Sequence, residues 1–226
     1  MKLGILFSGG KDSAYACYMA MQKEEVSCLI TLVSKNSESY MFHTPNINLA
    51  GLQSQVCEIP LLEYETDGFK EVELKDLKSA IILAREKYGI EGIVTGAIMS
   101  VYQASRVQTI CSELDLFCFN PLWYVNQKDY MRNIIQNGFE VIISGVFSYP
   151  FDESWLGRRI DDTMLDELCI LSDKYKITLT GEGGEFETFV CDAPFFKKRI
   201  VIDKSCSSCR NYNGIFSIIE AHTEDK

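Results

Sequence analysis

Six residues near the start of the chain, Ser8-Gly9-Gly10-Lys11-Asp12-Ser13, bring together the groups needed to hold a phosphate. Two adjacent glycines let the backbone take positive φ and turn successive N–H groups into a concave nest. Lys11 adds a full positive charge on a flexible stem, and Ser8 and Ser13 add hydroxyl donors. Asp12 adds a hard oxygen able to take Mg²⁺ or to orient a neighbouring donor. The spacing is not G-x-x-x-x-G-K-[ST], because the lysine follows the glycine pair directly, and no G-x-G-x-x-G can be written here. A tight turn with no ligand is the bland alternative.

The second chemical stretch is Gly181-Glu182-Gly183-Gly184-Glu185-Phe186-Glu187-Thr188-Phe189. If residues 185–189 are extended, Glu185 and Glu187 project to one face and Phe186 and Thr188 to the other. Neighbouring carboxylates repel unless a cation lies between them, which suggests Mg²⁺, an amine or ammonium ion, or an arginine. A solvated edge strand with gatekeeper charges is the alternative, but the nearby glycines suit a backbone that approaches a ligand closely. Tyr102 and Arg106, with Gln103 between them, lie one helical turn apart and can present a ring and a guanidinium to one ligand, or simply form an exposed helix face. Cys206-Ser207-Ser208-Cys209 has the spacing of half a zinc site or of a redox pair; no second C-x-x-C or histidine pair completes a tetrahedral set, and a peripheral pair is the better reading.

The elements that must carry these groups alternate. An apolar run, Leu3 to Phe7, reads as a short strand ahead of the glycine loop, and Ala14, Cys17, Tyr18 and Met21 follow at helical spacing. A helix starting there adds unpaired donors and a positive dipole end to the nest. Val26 to Val33 is a continuous apolar strand that ends at Ser34. Pro45 marks a boundary before the helical pattern Leu49, Leu52, Gln53 and Val56. His43, just ahead of it, is either a site residue at a strand's carboxyl edge or a helix-entry residue with a structural hydrogen bond. A third strand (Ile59 to Tyr64), a long amphipathic helix closed by Gly89, a fourth strand (Gly92 to Gly96), a helix over 101–114 and a fifth strand (Leu116 to Phe119) follow. Short alternation of this kind makes a doubly wound parallel sheet, whose ligands sit at the strands' carboxyl edges. Ser34, His43 and Gly96 join the loop there as cofactor-binding candidates. Beyond Pro121-Leu122-Trp123, Asn126 caps a helix that Gly138 closes, Val141 to Phe147 is a strand, Asp161-Asp162 opens a helix, and the tail reads as a β hairpin. A soft boundary near residue 120 therefore divides an α/β half, 1–120, from a smaller α+β half, 121–226.

The chain has 226 residues, 46% hydrophobic and 24% charged, with a formal net charge of −10. That acidity argues against a broad, sequence-independent grip on nucleic acid. No apolar run reaches the roughly 18 residues of a membrane-spanning helix, and the N-terminus enters a strand rather than a signal peptide, so a cytoplasmic protein is expected. Nine cysteines, most in apolar stretches, read as small buried hydrophobes rather than a disulfide framework.

SGGKDS matches the PP-loop of N-type ATP pyrophosphatases, which split ATP into AMP and pyrophosphate. Taken with SYMFHTP at 39–45, GAIMSVYQASRVQTICSEL from 96, PLW at 121 and GEGGEFETFV from 181, the chain resembles the diphthine–ammonia ligase family. The resemblance implies an adenine-nucleotide α-hydrolase-like, Rossmann-type domain followed by a family-specific, substrate-binding one. It implies a reaction in which ATP adenylates the carboxylate of diphthine, a modified histidine of translation elongation factor 2, and ammonia displaces AMP to give diphthamide. ATP and Mg²⁺ would be the cofactors, with Asp12 as a metal ligand. Lys11, Asp12, Glu185 and Glu187 would be catalytic, and Ser8, Gly9, Gly10, Lys11, Asp12 and Ser13 would bind the nucleotide. Tyr102, Gln103, Arg106, Glu182, Gly183, Glu185, Glu187 and Thr188 would face the acceptor substrates, with Trp155 or Trp123 offering a π face to diphthine's trimethylammonium. Elongation factor 2 and ammonium would be the partners, without stable nucleic-acid or membrane binding, and a homodimer is compatible with this. A PP-loop enzyme that thiolates or amidates tRNA, and a nucleotide sensor without turnover, are the alternatives.

Overall fold

The structure, a computed structural model, describes residues 1–34, 45–69 and 72–226. Five parallel strands form the first sheet: β1 (Lys2–Leu6), β2 (Glu25–Ser34), β3 (Leu61–Thr66), β4 (Gly92–Val94) and β5 (Phe117–Phe119), in the order β3-β2-β1-β4-β5. Successive residues of β2 face opposite ways, as strand geometry demands. Cys28, Ile30 and Leu32 pack under α3 (Val72–Tyr88) and α4 (Val101–Glu113). Leu29 packs on the other side with α1 (Lys11–Met21) and α2 (Ala50–Cys57). The row Leu77, Ala80, Ile81 and Ala84 along α3 is the i, i+3, i+4, i+7 stripe of a helix that covers a sheet. The sheet is thus Rossmann-like, with helices on both faces.

Strand order reverses between β1 and β4: the chain runs outward one way through β2 and β3, then returns to add β4 and β5 on the other side. Ligands of such sheets collect where the carboxyl ends of those two strands part.

The second half contributes α5 (Gln127–Gln136), β6 (Glu140–Val146), α6 (Asp162–Tyr175), β7 (Phe186–Asp192), β8 (Lys198–Arg210) and β9 (Asn213–Asp225). Its four strands form a separate antiparallel sheet, β7-β6-β9-β8. The Asn126 side chain accepts from the Asp129 N–H and the Asp161 side chain from the Met164 N–H, satisfying donors at the starts of α5 and α6. Asn211 and Tyr212 join β8 to β9 with positive φ at both positions, the twist that a two-residue hairpin turn needs. All nine cysteines are free; Cys206 and Cys209 stand three apart on β8, so the alternation of the strand sets them on opposite faces. The boundary expected near residue 120 falls between β5 and α5, and one apolar cluster crosses it, joining Ile5, Phe7 and Ala14 to Phe139, Val141, Phe189 and Val190. Among the described residues, no helix is long and apolar enough to cross a membrane.

Candidate functional site

The glycine loop leaves β1 and enters α1. Gly9 has φ of +79°, and Gly10 is the N-cap of α1 without a side-chain cap of its own. The Ser8 N–H donates to Ser13 Oγ at 3.2 Å, the Ser8 and Ser13 hydroxyls lie 3.2 Å apart, and Ser13 Oγ donates to the Gly10 carbonyl at 3.1 Å. The loop is fastened from outside by β7 and α2. The Val190 N–H donates to the Gly9 carbonyl at 3.0 Å, and Gln53 Nε2 bridges the carbonyls of Gly9 and Val190 at 2.9 Å each. Thr188 Oγ1 accepts the Lys11 N–H at 3.0 Å. A side chain at position 9 would run into Gln53, since a Cβ there would lie 2.4 Å from its Oε1. Gly96, in the loop after β4, packs against the start of α1 so closely that a Cβ would lie 2.7 Å from the backbone of Asp12 and Ser13.

Lys11 is only 2% exposed. Its Nζ donates to Asp12 Oδ2 at 2.9 Å and to the Thr180 carbonyl, and lies 5.6 Å from the centre of the Phe186 ring. The other oxygen of Asp12 accepts from the Tyr130 hydroxyl at 2.7 Å. Burial, with the charge of Asp12 beside it, pushes the Tyr130 phenol well above its usual range, so it remains a donor. One carboxylate is thereby held between an ammonium of its own helix and a phenol from α5.

A cavity of about 390 Å³ opens at the switch point. Leu6, Ile30, Leu32, Leu77 and Val107 make an apolar wall; Ser8, Asp12 and Ser13 line it from the glycine loop, and Gly96, Ser100 and Gln103 from the β4–α4 side. Thr180, Gly181, Glu182, Gly183, Gly184 and Glu187 line the opposite side. Lys11 does not reach the lining itself and stands one hydrogen bond behind it, through Asp12 and Thr180.

The glycine-rich segment 181–184 forms a strap across this opening, with φ of +75° at Gly181 and +82° at Gly184. Glu182 Oε1 accepts three backbone N–H groups, from Ile98 at 3.2 Å, Met99 at 2.9 Å and Ser100 at 2.8 Å, and so ties the strap to the β4–α4 loop. Glu187 lines the cavity, half-buried, and no hydrogen bond to its carboxylate arises among the described residues. Burial pushes its carboxyl up to about 7, with Asp12 and Glu182 adding to the rise and Lys11 opposing it.

Several expectations from the sequence come out differently. Glu185 and Glu187 do not share a face, because β7 begins only at Phe186 and Glu185 lies in the turn before it. The Glu185 carboxylate folds over Gly183 and accepts from the N–H and hydroxyl of Thr178, at 2.6 and 2.8 Å, away from the cavity. Thr188 is buried against the glycine loop rather than turned to the cavity. Tyr102 and Arg106 engage each other: the guanidinium carbon sits 3.4 Å from the ring centre, and of this trio only Gln103 lines the cavity. The guanidinium of Arg158 covers the Trp155 ring at 4.6 Å, whereas Trp123 is 36% exposed. Ser34 ends β2 and is not part of the lining. His43, with most of the SYMFHTP stretch, lies outside the described residues. No group of three His, Cys, Asp or Glu side chains able to hold a metal occurs among the described residues, and both oxygens of Asp12 are already engaged.

Three contributors had no motif to announce them. Gln53 is a polar side chain in the buried stripe of α2, which was a signal of sorts; Tyr130 and Thr180 gave none.

The family profile described as diphthamide synthase N-terminal domain matches residues 1–117, and that described as diphthamide synthase C-terminal domain matches residues 126–223. Human diphthine–ammonia ligase is 33% identical over 254 residues, covering 100% of this chain and 94% of that protein. The bovine diphthine–ammonia ligase is 33% identical over 255 residues, with the same coverage of 100% and 94%. Among solved structures, one described as a "predicted subunit of tRNA methyltransferase" from Methanocaldococcus jannaschii aligns with a TM-score of 0.44 at 14% identity, over 86% of this chain and 98% of that one.

Proposed function

The chain belongs to the diphthine–ammonia ligase family, whose reaction is the ATP-dependent amidation of diphthine to diphthamide, and we propose that this reaction runs in the cavity where β1 and β4 part. The observation that carries the reading is the meeting, in one cavity, of the glycine loop with an acidic strap from the other half of the chain. ATP lies with its base on the apolar wall of Leu6, Ile30 and Leu32 and its phosphates toward Ser8, Ser13 and the start of α1. A carboxylate is a poor acyl donor until one oxygen becomes a good leaving group. Adenylation supplies it: the diphthine carboxylate attacks the α-phosphorus and pyrophosphate departs. The charge that builds on pyrophosphate is met by backbone donors, the α1 dipole and the serine hydroxyls, with Lys11 behind them.

The donor set does not form a protein-made Mg²⁺ cage, since magnesium asks for octahedral hard oxygens and Asp12 is committed on both sides. Mg²⁺ belongs to this reading only as an ion carried on the nucleotide's phosphates, and no step rests on it. Residues 1–120 are the nucleotide half and 121–226 the acceptor half. Elongation factor 2 is the protein that brings diphthine, ammonium is the nitrogen source, and the cytoplasm is the compartment that a translation factor implies. The family assignment favours neither the tRNA-directed nor the sensing alternative.

The test is product analysis. AMP and pyrophosphate should accumulate over many turnovers only when diphthine-bearing elongation factor 2 and ammonium are both supplied, and Lys11→Ala should slow that formation about a hundredfold, the usual cost of one such donor. Undiminished turnover in Lys11→Ala, or AMP formed without the protein substrate, would contradict the reading.

A further inference from the structure

Exposed large apolar side chains gather in one part of the chain. Six of the fourteen among the described residues, Met99, Val101, Phe117, Phe119, Trp123 and Tyr124, come from two stretches, 92–105 and 116–127, that hold no charged residue. Apolar residues scattered singly over a surface need no explanation, but a group of them in an uncharged setting marks a surface that meets a partner.

Four of the six are stitched together beside the cavity. The Tyr124 N–H donates to the Ile98 carbonyl at 2.9 Å, which sets the turn at 123–124 against the β4–α4 loop. Gln127 opens α5 and ties that loop to the approach to the strap: its Nε2 donates to Met99 Sδ at 3.1 Å, and its Oε1 accepts the Leu179 N–H at 2.8 Å. Ala97 and Ser100 of the same loop line the cavity, as do Thr180 and Glu182 just beyond Leu179. One loop thus gives the cavity a wall and the outer surface the exposed side chains of Met99 and Val101. The Trp123 and Tyr124 rings meet edge to face at 5.1 Å.

Tyr124 is held in a conformation for which burial does not compensate. Its φ of +54° lies in the left-handed region, which costs a bulky residue free energy, and its side chain is 63% exposed. Leu122 is buried and anchors the turn, so the two aromatic residues after it are displayed rather than packed away. Tryptophan and tyrosine bring large contact area at little loss of rotamer freedom, and they dominate the energetics of protein contacts.

We propose that Met99, Val101, Trp123 and Tyr124 form the docking surface for the protein that carries diphthine, and that they receive an uncharged, apolar part of its surface beside the modified residue. The proposal rests on the amidation reading above. Diphthine is one side chain of its carrier and cannot enter the cavity alone, so the carrier must lie against the rim while the carboxylate reaches the nucleotide. A rim built from the outer side of a cavity wall is continuous with the reaction site. A second copy of this chain on the same face would compete with the carrier for the entrance, and pairing would bring together two molecules of formal net charge −10.

Binding and turnover are read separately. Binding of diphthine-bearing elongation factor 2 is followed by surface plasmon resonance without ATP, and its KM is taken from AMP formation with ammonium present. Trp123→Ala and Tyr124→Ala should each weaken binding and raise that KM about tenfold, with the rate recovered at saturating elongation factor 2. Tyr124→Phe keeps the ring and should stay close to wild type. Tyr124→Gly suits the backbone but removes the ring, so it should raise the KM without lowering the melting temperature. ATP affinity by calorimetry should hold in every variant, and Ile170→Ser, which removes an exposed apolar side chain from α6, should leave the KM unchanged. An unchanged KM in both alanine variants, or an equal rise in Ile170→Ser, would overturn the surface. So would a wild-type dimer in analytical ultracentrifugation that Tyr124→Ala splits with the KM unaltered, which would give the face to a second copy. Wild-type protein that binds the carrier through these residues yet forms no AMP would instead overturn the amidation reading and leave the surface standing.

Discussion

Tyr130 and Glu187 illustrate two ways in which one side chain governs this site. Tyr130 does not line the cavity, yet its hydroxyl fixes one oxygen of Asp12 while Lys11 holds the other. It is a positioning residue, and it should act through Asp12 alone. Tyr130→Phe is expected to slow AMP formation about tenfold, and to add little further loss in an Asp12→Asn background. Additive losses in the double variant would point instead to general disturbance of the packing around Tyr15 and Tyr130. For Glu187 the native carboxyl titrates above the value of an unfolded glutamate, so the native chain binds more protons between about pH 4.5 and 7. Stability therefore falls as pH rises through that window. Glu187→Gln removes the liability and should stabilise the protein at pH 8 by on the order of 1 kcal/mol, with no gain at pH 4. Thermal melts at the two pH values give the answer, and a loss of stability at pH 8 would count against the assignment.

At the scale of elements, the glycine loop owes its shape as much to β7 as to its own glycines. Thr188 serves as the missing cap of α1, reaching it from 177 residues away. Thr188→Val should cost about 1 kcal/mol in stability, as lost helix caps do, and weaken ATP binding measured by calorimetry. Gly96→Ala is expected to do more harm to nucleotide binding than to folding of the sheet, because the obstructing atoms are backbone of α1 and cannot swing aside. Alternation of strand and helix, the caps at Asn126 and Asp161, and the glycines that close α3 and α5 are local signals, and the sequence made them legible. The PP-loop was legible for the same reason, being six contiguous residues. What could not be read is long-range. Nothing near Glu185 announces that Thr178 will capture it, so where extended structure begins, and which face Glu185 takes, stayed hidden. Tyr130 meets Asp12 across 118 residues and Gln53 meets Val190 across 137; each looks like an ordinary helix residue until the two sheets are packed together.

For the molecule as a whole, the two sheets both contribute to the lining of the cavity and share one apolar cluster. A fragment of residues 1–120 would lose Phe139, Val141 and Phe189 from the cluster to which Phe7 and Ala14 belong. It is expected to lack a cooperative thermal transition by circular dichroism, and a sharp melt close to that of the full chain would show the first sheet to be self-sufficient. The bond between Glu182 and the loop at 98–100 gives the same union a time axis. Amides of an open loop exchange with deuterated water quickly, but those of Ile98, Met99 and Ser100 can do so only when the carboxylate lets go. Their exchange rate is then a clock for the lifting of the strap. Slowed by bound AMP, it would report how long product is detained before the next ATP can enter.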